Sequence, residues 1–205
     1  MSFEFPKIIG IDFDNTLIDY SNIMYQYAVD MGYLNSLTSK DKNEIRNKIR
    51  LLDDGEKKWQ QLQAVIYGIQ INKAERFQGV LYFFQRCLQH NISIKIISHK
   101  TKFAAMDETK TDLRQVALKW MDQNSFFRFI NKQNVFFEPT LREKIKRIIS
   151  LDCNVFIDDL DIIFNEKTFP AHVRKILFCQ NKKIYQNLEI EFAHSWKEIF
   201  SLIFN

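Results

Sequence analysis

Glycine and proline are scarce in this chain, 5 and 3 of 205 residues, about a third of the roughly 12% typical of globular proteins. Long structureless loops are therefore not expected. Cysteine is equally rare, and Cys87, Cys153 and Cys179 are odd in number and widely spaced. They rule out a disulfide framework in practice, and no Cys-x-x-Cys pair or Cys/His cluster suggests zinc. No window approaches the roughly 18 uncharged apolar residues that cross a bilayer, and residues 1–6 have no basic stretch leading into an apolar one. The expectation is a cytoplasmic protein with no membrane partner. Charge of one sign is not in excess either, since 29 basic and 25 acidic side chains leave a net +4. That is too little to imply a nucleic-acid polymer as partner, though it mildly favours small anionic ligands.

What is present is a globular composition, 46% hydrophobic and 26% charged, long enough for one full domain or one core with a modest insertion. Four short apolar runs, at 7–14, 92–98, 153–158 and 173–178, read as buried parallel strands, with 134–137 a weaker fifth. Helical spacing links Phe77, Val80, Leu81, Phe84 and Leu88, then Leu113, Val116, Ala117, Trp120 and Met121, then Leu141, Ile145, Ile148 and Ile149. Thr140 and Glu143 have the spacing of a capping box ahead of the third set, and 195–203 reads as a last helix. Strands alternating with helices predict an α/β fold, a Rossmann-like parallel sheet covered on both faces. Residues 19–75 break the alternation, with no strand but with helical patterns such as Ile45, Ile49 and Leu52 in a stretch of mixed charge. The predicted organisation is a core of residues 1–18 and 76–205, interrupted after the first strand by a small helical insertion at 19–75.

Ligands of open α/β sheets bind beyond the carboxyl ends of the strands, near a switch in strand order. Two of the predicted strands end in acids there: Asp12 and Asp14 after the first run, Asp158 and Asp159 after 153–158. If those strands are neighbours, four carboxylates converge at one edge. Like charges raise one another's pKa, and a hard, oxygen-seeking ion such as Mg²⁺ is the usual remedy. Asp12, Asp14, Asp158 and Asp159 are thus the candidate metal ligands. Lys144 stands out for another reason. It falls in the first turn of the helix begun by Thr140, where the helix dipole disfavours a cation by roughly a few tenths of a kcal/mol, and a local rule broken without compensation points to function.

Asp12-Phe13-Asp14-Asn15-Thr16, following an apolar strand, resembles the first motif of the haloacid dehalogenase (HAD) superfamily of phosphotransferases. The later motifs follow in that superfamily's order: Ser98 closing the second strand, Lys144 in a later helix, and Asp158-Asp159 closing another apolar run. Phe77-Gln78-Gly79-Val80 is similar to the segment that leads back into the core from a helical cap inserted after the first motif. The resemblance covers nearly the whole chain and implies a HAD-like core with 19–75 as its cap, Mg²⁺ as cofactor, and Asp12, Asp14, Ser98 and Lys144 as the catalytic set. It implies that Asp12 attacks phosphorus to form an aspartyl-phosphate, while Asp14 protonates the leaving alcohol and then activates water, its side chain facing the substrate and its backbone carbonyl being the part expected to reach the metal. Ser98 would bond the transferring phosphoryl oxygens, and Lys144, with Lys146 and Arg142 as alternatives, would pair with the nucleophile and those oxygens.

Asn15, Thr16, His99 and Lys100 are candidate substrate contacts, and the Thr16 hydroxyl is a candidate brace for its own loop. The Asp-Asp pair departs from the commoner Gly-Asp form, so which carboxylate touches the ion stays open. Four residues on, where that form has a further acid, this chain has Ile163, with Asp161 a weak substitute. The predicted function is a Mg²⁺-dependent phosphomonoester phosphatase acting on a small phosphorylated metabolite such as a sugar phosphate or nucleotide. The alternatives are a phosphomutase of the same architecture and a non-catalytic phosphate-binding module. No motif specifies the substrate or the oligomeric state.

Overall fold

The structure, a computed structural model, describes residues 5–180 and 189–205, so the 1–6 reading falls outside it for residues 1–4. Ile8–Ile11 (β1) is a run of apolar residues whose last three are buried, as a strand covered on both faces must be. Ile18–Asp19 (β2) and Glu75–Arg76 (β3) pair as a separate two-stranded ribbon. The other strands are β4 (Ser93–His99), β5 (Val135–Glu138), β6 (Val155–Asp158), β7 (Arg174–Phe178) and β8 (Ile190–Ala193). The helices of the described residues are α1 (Ser21–Asp30), α2 (Lys42–Arg50), α3 (Gly55–Tyr67), α4 (Val80–Gln89), α5 (Leu113–Gln123), α6 (Leu141–Ser150), α7 (Asp161–Phe164) and α8 (Trp196–Phe204).

Six strands form one parallel sheet in the order β5-β4-β1-β6-β7-β8. The fold is thus the predicted α/β architecture. The five strands expected from apolar runs are all present, whereas β8, β2 and β3 were not foreseen, because segments of four and two residues carry too little periodicity to register. From β1 the sheet grows first to β4 and β5 and then, on the other side, to β6, β7 and β8, so the switch in order lies at β1. Ile11 is level with Ile96 of β4 on one side and with Ile157 of β6 on the other. The residue after it, Asp12, therefore emerges between two neighbouring strand ends.

Adjacent strand residues point to opposite faces, and β7 shows how each face is covered. Leu177 enters an apolar cluster with Ile145 and Ile148 of α6, Ile163 and Phe164 of α7, and Ile97, Phe156 and Phe169. Phe178 points the other way, with its ring centroid 6.1 Å from that of Trp196 in α8, which also stacks against Phe83 of α4 at 5.1 Å. Three stripe residues lie outside any core. Leu52, Leu88 and Ile149 are exposed, because the helical spacing continues past the stretch that has a partner. Phe77 precedes α4 instead of starting it, and its N–H donates to the Leu17 carbonyl at 3.0 Å.

The chain divides into two compact units, the first comprising Met1–Ile18, Arg76–Lys100 and Met121–Asn205, the second Asp19–Glu75 and Thr101–Trp120. The second unit thus takes in 101–120 beside 19–75. Within it α1, α2 and α3 pack on one another around Met24, Ala28, Ile45, Ile49, Leu62 and Ile66. Asp41 caps α2 by accepting from the Glu44 N–H, and the Trp120 indole N–H donates to the Ala74 carbonyl at 2.9 Å.

Gly10 sits where β6 crowds β1, and a Cβ there would lie 2.6 Å from the Phe156 ring and 3.1 Å from Cys153 Sγ. Gly10→Ala should lower the unfolding free energy by about 1–3 kcal/mol, since a packed ring has no room to yield. The expected outcome is a lower urea midpoint with an unchanged m value.

Candidate active site

Every residue singled out from the sequence as a site candidate lies in the first unit. The Asp12 N–H continues the β1 ladder one residue further by donating to the Ile157 carbonyl at 2.9 Å. This brings its buried carboxylate beside that of Asp158, which ends β6 and is itself buried. Asp158 Oδ1 accepts the Leu160 N–H at 3.0 Å, which fixes the turn after the strand.

Lys144 arrives from α6. Thr140 caps that helix, its Oγ1 accepting from the Glu143 N–H at 3.2 Å and donating to Glu143 Oε2 at 2.9 Å. One turn later Lys144 is buried, and its Nζ donates to Asp12 Oδ1 and to Asp158 Oδ2, both at 2.6 Å. Arg142 and Lys146 are exposed. The ammonium that reaches Asp12 is therefore that of Lys144, whose two carboxylate partners compensate for its place in the first helical turn.

Asp12, Asp158 and Asp159 each bring a carboxylate oxygen within 4.8 Å of the others, and the first two of these acids share the Lys144 ammonium. Burial, reinforced by the charge of Asp12, pushes the Asp158 carboxyl well above the usual carboxylate range despite Lys144. Burial works against the Lys144 ammonium too, yet Asp12 and Asp158 hold it above its ordinary value. The two carboxylates on Lys144 already outnumber its one ammonium, and Asp159 adds a third acid beside them. Hard oxygen donors in such a net-negative cluster fit a small divalent cation. Asp161 is exposed and outside the cluster, and Ile163, where an acid would stand in the commoner form, is a buried core residue.

Asp14, counted among the four converging acids, does not bring its carboxylate to the other three. Asn15 turns the chain with a positive φ of 58°, which asparagine tolerates well. Both Asp14 oxygens then accept from Lys100 Nζ, at 3.0 and 2.8 Å. Lys100 has the sequence setting of a solvated loop residue, but it is buried, and its Nζ lies 5.4 Å from the centroid of the Phe13 ring. Thr16 is fully buried, and its hydroxyl has no hydrogen-bond partner among the described residues. The loop is braced instead by its carbonyl, which accepts from the Trp196 indole at 3.0 Å. That indole had no sequence signal beyond its place in the predicted last helix.

Ser98 is buried near the end of β4, level with Phe137 of β5. His99 is exposed, and its Nε2–H donates to the Pro139 carbonyl at 3.0 Å. That bond fixes its tautomer.

No protein-family model and no curated protein matches this chain. Solved structures do match it. A haloacid dehalogenase-like hydrolase of Streptococcus pneumoniae superposes with a TM-score of 0.63 at 14% identity, covering 96% of this chain and 97% of that one. Protein tyrosine kinase A of Mycobacterium tuberculosis gives 0.63 at 10% identity, over 99% and 100% of the two chains. The HAD-type protein YfnB of Bacillus subtilis, described as bound to magnesium, gives 0.52 at 10% identity, over 98% and 100%. This chain has the HAD-like fold. Proteins with this fold carry more than one described activity, so function must be argued from the site.

Replacing Lys144 by methionine strands two buried carboxylates beside each other. In EDTA this should cost about 3–5 kcal/mol of unfolding free energy. The cost should be smaller in an Asp12→Asn background, where only one of its two carboxylate partners is left, and urea unfolding of the four proteins of this cycle reads the difference.

Proposed function

We propose that the protein is a Mg²⁺-dependent phosphomonoester phosphatase that works through an aspartyl-phosphate on Asp12. The observation that carries this reading is the meeting of Asp12, Asp158, Asp159 and Lys144, from three separate elements of the chain, beyond the strand ends at the switch in sheet order. Asp12, Asp158 and Asp159 would hold Mg²⁺, which when bound neutralises charge on the phosphoryl oxygens.

The chemistry assigned to the chain's own residues has two halves. Asp12 forms a bond to phosphorus as the ester P–O bond breaks, and Asp14 gives the leaving alkoxide its proton. Water, having lost a proton to Asp14, then attacks phosphorus and releases inorganic phosphate and the Asp12 carboxylate. Lys144 keeps the attacking carboxylate in place and offsets its charge through a contact that is already formed. Ser98, buried at the neighbouring strand end, is assigned to the phosphoryl oxygens.

The substrate class is a small phosphorylated metabolite, which suits a modest net charge of +4. Three free cysteines support a reducing, cytoplasmic setting.

The purified chain should release phosphate from p-nitrophenyl phosphate with Mg²⁺ and stop on adding EDTA. Asp12→Asn should abolish release, and turnover surviving in that variant would overturn the reading. Asp14→Asn should retain a rate reduced about 10²- to 10⁴-fold, the usual share of a general acid and base.

A further inference from the structure

Of the residues from His99 to Phe103, only Lys100 is buried. Its side chain is 3% exposed, that of its partner Asp14 20%, and both carboxylate oxygens are engaged. Both ends of the pair are anchored. The Lys100 N–H donates to the Glu138 carbonyl at 2.8 Å, and its ammonium lies over Phe13, the residue between Asp12 and Asp14. Burying an ammonium costs several kcal/mol unless a partner compensates. A lysine in a polar loop could reach solvent instead, so the burial calls for an explanation.

The explanation lies two residues away. Asp14 follows Asp12 closely in the chain, and without a counter-charge of its own it is a fourth carboxylate beside a site that calls for a dication. The attraction between a carboxylate and a divalent ion a few ångströms away is large in a partly buried setting. Drawn into the site, the Asp14 carboxylate would add one more negative charge to it and lose the orientation needed to meet a leaving group.

We propose that Lys100 is a positioning residue that holds the Asp14 carboxylate out of the cation site, so that the carboxylates of Asp12, Asp158 and Asp159 bind the ion and that of Asp14 is kept for proton transfer. This inference rests on the cation site of the reading above. Two lysines thus sort four carboxylates. Lys144 serves the cluster, and Lys100 withholds the acid that the chain would otherwise deliver to it.

The test is calorimetric titration of Mg²⁺ into the full chain. Lys100→Met should bind Mg²⁺ about tenfold more tightly than the native protein, because affinity rises with the number of charged ligands. The double variant Lys100→Met/Asp14→Asn should return to within about twofold of native affinity, with no extra carboxylate to contribute. A general loss of structure weakens binding and cannot tighten it. Folded Lys100→Met with unchanged or weaker Mg²⁺ binding would overturn the inference alone, whereas a native chain that binds no Mg²⁺ would overturn the cation site as well. Should Lys100→Met fail to fold by circular dichroism, Asp14→Asn decides the matter. Native-like Mg²⁺ affinity supports a withheld Asp14, and a tenfold loss means that Asp14 is already a ligand.

Discussion

Carboxylates repel one another, and the repulsion grows as water is removed. At the carboxyl edge of this sheet two buried aspartates face each other across a single lysine ammonium 2.6 Å from each, with a third aspartate close by. Most of what is specific about the structure serves that contact. Burial, with the Asp12 charge beside it, raises the Asp158 carboxyl even against Lys144, and the residual negative charge is what gives the site a use for a divalent ion.

The fold meets this constraint by topology. Parallel strands put all their carboxyl ends on one side, and the placement of β1 between β4 and β6 delivers Asp12 and Asp158 to adjacent positions although 145 residues of chain lie between them. Capping by Thr140 sets the start of α6 one turn before Lys144. The loop after β1 is steadied from below by the Trp196 indole, which draws on the C-terminal helix to hold a segment near the N-terminus. Side chains around it, Phe83, Phe84 and Phe178, make the same tryptophan a packing element of the core.

The main strands, the helices and the acids at the strand ends were legible because each is a local pattern: a β-branched run, a 3.6-residue stripe, a carboxylate where a run stops. Elements of two to four residues were not, and neither were the ends of the stripes, where Leu52, Leu88 and Ile149 keep the spacing of buried residues without a surface to meet. The Thr16 hydroxyl was assigned a brace that its carbonyl supplies. The packing of 101–120 into the same unit as 19–75 has no periodic signal, since it depends on contacts between segments far apart in the chain.

By itself the sequence determined the type of chemistry available: which residues carry charge, which stretches must be buried, and in what order acids, serine and lysine occur. The tertiary structure alone decided how those charges are paired. Lys144 rather than Lys146 or Arg142 reaches Asp12, and Lys100 turns inward to Asp14. Pairing is settled by distances of a few ångströms between groups remote in the chain, and by the burial that makes an unpaired charge costly, and neither quantity exists until the sheet has formed.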